Sequence, residues 1–184
     1  MASKKDFIKR VTILIDTREQ KNKHITKRLD ELGVKYESRK LDYGDYSFMT
    51  AERDYSRDFS MSCVVERKAN VDELYGNIMH DRGRIEKELY AASRLAKQAT
   101  ILIENCAEWD ELKGFRLPQY KRQEQRKVDE IGKYVYATLQ AWRCGNRYHF
   151  DVAFSQGIDS ADKMLEIFYY YWHNYKELTA ARRG

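Results

Sequence analysis

The chain has 184 residues, enough for one domain with a real core, and 42% of them are apolar, as in ordinary soluble globular proteins. Charged residues make up 34% and leave a net charge of +5, a balance that suits a polyanionic partner without requiring one. The start, MASKKDFIKR, lacks an apolar core of signal-peptide length and no long apolar run follows; the three cysteines, Cys63, Cys106 and Cys144, are far apart with no CxxC pair, so a secreted, membrane-spanning, zinc-bound or disulfide-stapled protein is not expected, and a cytoplasmic one is.

Val11–Ile15 (VTILI) is a short, nearly continuous apolar run and reads as a buried strand. Asp16 follows at its mouth. It either joins a metal site there or begins a turn with Thr17. Ile25, Leu29 and Leu32 recur at helical spacing and Gly33 supplies a stop. His24 opens that helix, where a lone histidine is more often a surface or capping residue than a ligand. Val34–Met49 reads as one extended strand, with Gly44 inside it marking a bulge or a close backbone approach. Ala51–Ser60 is polar and charged and reads as the hairpin loop. Cys63–Glu66 is the returning strand.

Asn70 with Glu73 three residues later makes a capping box that starts the next helix. Asp72 then lies in the first turn, where a carboxylate favours the positive end of the helix dipole. Leu74, Ile78, Ile85, Leu89, Ala92 and Ala96 form one long apolar stripe to about Lys97, interrupted by Gly83. Thr100–Ile103 is another buried strand, ended by Glu104. Asn105–Lys127 is the least structured stretch. Within Lys113–Lys127 there are six basic residues (Lys113, Arg116, Lys121, Arg122, Arg126 and Lys127) and one acidic. With Phe115 and Tyr120 among them and Trp109 just before, the stretch either contacts DNA backbone and unpaired bases or is a solvated connection.

Val128, Ile131, Val135, Leu139 and Trp142 form a further helical stripe, and Tyr148–Phe154 alternates like a strand. The last helix carries Met164, Ile167, Phe168, Tyr171, Tyr175 and Leu178 on one face, with Tyr169, Tyr170 and Trp172 beside them. Such all-round apolar character suggests burial on two sides, as at a homodimer contact.

The chemistry concentrates between Gly44 and Asp72. Glu66 and Lys68 lie two apart on a strand and so share a face, while Arg67 points the other way. If the strands pair as a hairpin, Asp45 meets Glu66 and Lys68 at one end of a sheet. Two carboxylates and a lysine suit metal-assisted phosphodiester hydrolysis: the carboxylates hold a hard cation such as Mg²⁺, and the lysine orients water or phosphate.

Gly44-Asp45, a gap, then Glu66, Arg67, Lys68 and Asp72 resembles the GD…ERKxxxD signature of the XPF nuclease family. The resemblance also takes in DTREQ at Asp16–Gln20, Arg84 and the strand Ile101–Glu104. It covers roughly the first 105 residues well, and looks most like compact phage or prophage members. It implies a restriction-endonuclease-like α/β fold, with a central mixed β-sheet flanked by α-helices and a site at its edge. The expectation is a single domain over 1–184, with a motif core at about 11–105 and a helix–strand–helix extension at about 128–179. The family's usual tandem helix-hairpin-helix module is not expected here. The resemblance implies a structure-selective DNA endonuclease that leaves a 5′-phosphate and a 3′-hydroxyl, the alternative being a non-catalytic DNA-binding partner subunit of the same fold. It uses Mg²⁺, with Mn²⁺ able to substitute, and no nucleotide cofactor. It places Asp16, Arg18, Asp45, Glu66, Arg67, Lys68 and Asp72 in the active site. Asp45 and Glu66 would hold the metal with Asp16 in support, and Asp72 would fix Lys68 or Arg67. Arg84 either contacts a phosphate or belongs to a salt-bridged surface.

Overall fold

The computed structural model describes residues 3–117, 130–145 and 147–181. Its centre is a seven-stranded mixed sheet. In chain order the strands are β1 (Val11–Ile15), β2 (Lys35–Ser38), β3 (Tyr46–Ala51), β4 (Ser56–Asp58), β5 (Cys63–Lys68), β6 (Gln98–Glu104) and β7 (Asp151–Ser155). Across the sheet the order is β2-β1-β3-β5-β6-β7, with β4 paired to β3. The pairs β1–β2, β5–β6 and β6–β7 are parallel; β1–β3, β3–β4 and β3–β5 are antiparallel. From Ala99 to Glu104, β6 is buried throughout, because it has parallel neighbours on both sides and helices on both faces. That is why its sequence is a continuous apolar run and not an alternating one.

The described helices are α1 (Lys4–Arg10), α2 (Lys23–Glu31), α3 (Val71–His80), α4 (Arg82–Leu95), α5 (Trp109–Gly114), α6 (Ile131–Cys144) and α7 (Ser160–Ala181). One face of the sheet (Val64, Ala99, Ile101, Ile103) packs against α3, α4, α5 and α6. The other (Ile13, Phe48, Val65, Leu102) packs against α1, α2 and α7. Among the described residues no helix is long and apolar enough to cross a membrane.

Several elements depart from the sequence reading. Val34–Met49 is not one strand. β2 is an exposed parallel edge strand and β3 is central, on the far side of β1. A loop through Gly44 separates them, because Gly44 takes a left-handed φ of 75° that no strand continues through. The 51–60 hairpin loop contains β4. The long stripe after Asn70 is two helices that break at Asp81. The stretch after Asn105 contains α5, docked on α6. The N-terminus forms α1, started by a reciprocal Ser3–Asp6 capping box and pinned by fully buried Phe7.

The aromatic face of α7 finds both of its partners within the chain. Met164, Leu165, Phe168 and Trp172 face the sheet. Tyr169 and Trp172 pack on Phe7 of α1, and Tyr171 and Tyr175 meet Phe59 edge-on. The exposed members are Tyr170 and Leu178. So α1 and the β3–β4 side cover part of what the sequence suggested a second subunit would cover.

Candidate active site

Four strand ends converge at one end of the sheet: those of β1 (Asp16), β3 (Asp45), β5 (Glu66–Lys68) and β6 (Glu104). The backbone holds Asp45 from two sides. Its N–H donates to the Val65 carbonyl at 2.9 Å, and its carbonyl accepts from the Asp16 N–H at 2.8 Å. Its side chain is held too, since the Arg67 N–H donates to Asp45 Oδ2 at 2.8 Å. Such close strand contact requires Gly44. A Cβ there would lie 3.0 Å from Val64 Cβ and 3.3 Å from the Val65 carbonyl oxygen. Gly44→Ala is therefore expected to cost at least about 1 kcal/mol in left-handed strain alone. A lower denaturant midpoint at unchanged m-value checks this.

Glu66 and Lys68 share the face predicted by strand alternation, and Lys68 Nζ donates to Glu66 Oε1 at 2.7 Å. Both line an open cleft with Asp45, Arg18, Arg84 and Glu88. Burial and the neighbouring Glu66 carboxylate hold the Asp45 carboxyl well above the ordinary range. Burial works against the Lys68 ammonium, but Glu66 beside it outweighs burial and leaves its pKa above the usual lysine value. At neutral pH Lys68 is thus a cation. Its Nζ is a hydrogen-bond donor in this cleft.

Arg67 points to the opposite face, again as alternation requires. It is buried and donates to Glu104 Oε2 at 2.5 Å, with Glu19 at 3.5 Å. Glu104 Oε1 is 2.8 Å from His24 Nε2. Burial pushes the Glu104 carboxyl up, but Arg67 first, then His24 and Ser160, more than offset it and leave its pKa low. A chain of contacts from partly exposed His24 through buried Glu104 and Arg67 to Glu19 thus ties β6 to the strand that carries Glu66 and Lys68.

Asp16 is fully committed. Oδ1 accepts from Arg18 Nε at 2.6 Å and from the Arg18 N–H at 2.8 Å; Oδ2 accepts from the Leu41 N–H at 2.6 Å and from Arg18 at 3.2 Å. Its side chain is 1% exposed, whereas that of Arg18 is 64% exposed. Asp16, expected as the supporting metal ligand, thus holds Arg18 at the cleft.

A family model described as the ERCC4 domain matches residues 15–167, most of the chain. The chain belongs to the ERCC4 domain family. This is the XPF-type family that the motif resembles. Among solved structures, XPF from Aeropyrum pernix is similar with a TM-score of 0.57 at 17% identity, over 87% of this chain and 61% of that one. XPF from Aeropyrum pernix in complex with DNA is similar with a TM-score of 0.55 at 18% identity, over 89% of this chain and 66% of that one. This chain therefore spans about three-fifths to two-thirds of those structures' length. The likeness shows the restriction-endonuclease-like fold. No curated protein sequence matches the chain.

Within this ERCC4 domain the remaining expected site residues scatter. Arg84 lines the cleft from α4, exposed and loosely paired with Glu88 at 3.7 Å and Asp81 at 3.9 Å. Asp72 lies in the first turn of α3, outside the residues lining the cleft. Lys113 sits on α5, 4.2 Å from the Tyr136 ring centroid and 3.7 Å from Asp110. Arg116 follows α5 and is exposed. Lys121, Arg122, Arg126 and Lys127 lie outside the described residues.

Sequence reasoning missed Glu88 as a site residue, gave Glu104 only as the end of a strand, and set His24 aside. Burial and the Glu66 carboxylate raise the Glu88 carboxyl, so Glu88 belongs to the field of the cleft. Its position four residues after Arg84, on the same side of a helix, was the available signal.

Proposed function

We propose that this ERCC4 domain is a divalent-metal-dependent DNA endonuclease, selective for branched, flapped or single-strand/duplex junction DNA. The observation that carries the reading is the convergence of Asp45 and Glu66 on one face of the cleft. They are close enough that Glu66 raises the Asp45 carboxyl, with a cationic Lys68 beside them. The two carboxylates fit a hard cation. Among the described residues no three His, Cys, Asp or Glu side chains group as a closed metal cage. Mg²⁺ commonly takes only one or two carboxylates and completes its shell with water and phosphate oxygens. When bound, Mg²⁺ or Mn²⁺ would neutralise charge on the scissile phosphate and polarise a water.

The chain's own groups supply the rest. The Arg67 N–H fixes which Asp45 oxygen faces the cleft. Lys68, cationic, donates to a phosphate oxygen or holds the attacking water. Arg18, aimed by Asp16, and Arg84, only loosely paired, are positioned to bind the non-bridging oxygens on either side of the cut. Glu104 and Glu19 hold Arg67.

Incubation with nicked, branched and single-stranded DNA tests the reading, with Mg²⁺, with Mn²⁺ and with chelator. Metal-dependent cleavage of at least one branched form is expected. Binding without cleavage under every metal condition would instead make the chain a DNA-binding subunit of the same fold. Lys68→Ala separates the roles: cleavage is expected to fall about 100-fold or more, the scale of one lost charge-stabilising donor. Metal affinity, measured by calorimetry, should stay within about threefold, since Lys68 is not an oxygen donor.

A further inference from the structure

We propose that the outer face of α4 and the recess at its C-terminal end form a second track for a nucleic-acid phosphate backbone, distinct from the catalytic cleft. This rests on the reading of the substrate as DNA. Between Arg82 and Lys97 there are five basic residues (Arg82, Arg84, Lys87, Arg94, Lys97) and two acidic ones (Glu86, Glu88), a local surplus of three positive charges. Ile85, Leu89 and Ala92 bury one side of the helix, so the opposite side faces solvent. Lys87, Tyr90 and Arg94 lie on that side, within about 60° of one another at about 100° per residue. The Arg94 guanidinium lies 5.3 Å from the centroid of the exposed Tyr90 ring and donates to its hydroxyl at 3.2 Å. An exposed ring braced by a cation suits contact with a sugar or base next to a phosphate. Glu86 does not oppose the stripe, because Arg82 and Arg147 engage it, each at 2.9 Å.

Just past α4, Lys97 opens a polar recess of about 300 Å³ lined also by Gln98, Arg143, His149 and Asp151. Lys97, Arg143 and His149 are exposed and make no ion pair among the described residues. Elsewhere on the surface Lys133, Lys163, Lys176 and Arg28 each have a carboxylate within 2.5–2.7 Å. The one acidic lining residue, Asp151, accepts from Gln98 at 2.9 Å. The recess therefore has unneutralised positive charge with little desolvation cost to binding.

Recess and cleft open on the same face of the sheet. A narrow apolar slot under α4 shares Gly44, Glu66 and Glu88 with the cleft, and Ala99 and Phe150 with the recess. Glu66 is in register with Ile101, so Lys97 lies four residues back along β6, about 13 Å at about 3.3 Å per residue. That is about four base-pair steps of duplex at about 3.4 Å each. One strand can thus occupy the cleft and the recess together. A line of cations with an exposed ring between them fits a polymer better than a single small anion.

The test compares wild type, Lys97→Ala/Arg143→Ala, and a charge-matched control, Lys5→Ala/Lys9→Ala on α1 against the other face. Duplex affinity is measured in chelator from low to moderate salt. Two lost phosphate contacts should flatten the slope of log affinity against log salt by up to roughly two units, with the control unchanged. The track is overturned if the recess variant and the control keep the same slope and affinity. If wild type binds no DNA, the substrate reading fails and inorganic pyrophosphate decides the recess by itself. Pyrophosphate should shift the amide NMR signals of residues 97–99, 143 and 148–151 in wild type but not in the double variant. No shift in wild type overturns the site.

Discussion

Glu66→Gln and Asp45→Asn are each expected to lower cleavage by at least about 100-fold, the scale at which loss of one group that stabilises transition-state charge is felt. DNA affinity should hold or tighten, because a negative charge beside the phosphates has gone. The two variants should then part on stability. Asp45 is buried against Glu66, so its folded-state pKa lies above its unfolded value. The folded state binds that proton more tightly, and ionising Asp45 above the unfolded pKa costs stability. In metal-free protein at neutral pH, Asp45→Asn should therefore raise the thermal midpoint, with the gain shrinking as pH falls below the raised folded-state pKa and gone below the ordinary aspartate value. Asparagine also keeps an oxygen to accept the Arg67 N–H. Glu66→Gln gives up its charge-assisted bond to Lys68 and should gain less. Wild-type cleavage rates in both variants would mean that these carboxylates are not the active site. A lower midpoint for Asp45→Asn would mean that the charge itself supports the fold.

The largest stability effect is expected at Arg67. Arg67→Met leaves Glu104, whose side chain is 2% exposed, without its principal counter-charge. Removing one member of a buried pair typically costs about 3–5 kcal/mol, because the other charge stays uncompensated. Urea unfolding at neutral pH should show a loss of this order. In wild type the Glu104 pKa is depressed, so its contribution is present above the unfolded-state pKa and lost as pH falls through the folded one. In Arg67→Met burial dominates instead, and the loss on acidification should shrink or reverse. Arg67→Met/Glu104→Gln should recover much of the stability, since Glu104 is then no longer an orphan charge. Additive losses in the double variant would refute the coupling. Because the Asp45 bond comes from the Arg67 backbone, cleavage should fall mainly through a disordered strand end.

Much of the site was legible because its chemistry is local. Strand alternation alone placed Glu66 and Lys68 together and Arg67 opposite, and the glycine before Asp45 announced a close approach that the left-handed φ and the Val64 contact show. The capping of α3 at Asn70 was equally readable, since Glu73 N–H donates to its side chain within one turn. Edges and partners were less so. Nothing in the run from Val34 to Met49 says that β2 pairs on one side of β1 and β3 on the other; that follows from which backbone edges remain free once the sheet assembles. Glu104 and His24 meet across 80 positions, and no local pattern encodes that distance.

The sequence by itself determined which residues share a face, where the chain must turn, and that Glu66 and Lys68 lie together on one strand. These follow from the two-residue period of strands and the steric freedom of glycine, both properties of neighbouring residues. Only the tertiary structure decided what each charged group does. It set Asp16 against Arg18, gave Arg67 a buried anchor in Glu104, brought Glu88 to the cleft, and folded α1 over the aromatic helix. Those outcomes depend on desolvation and on which charges end up within a few ångströms, and these are fixed only when distant segments pack.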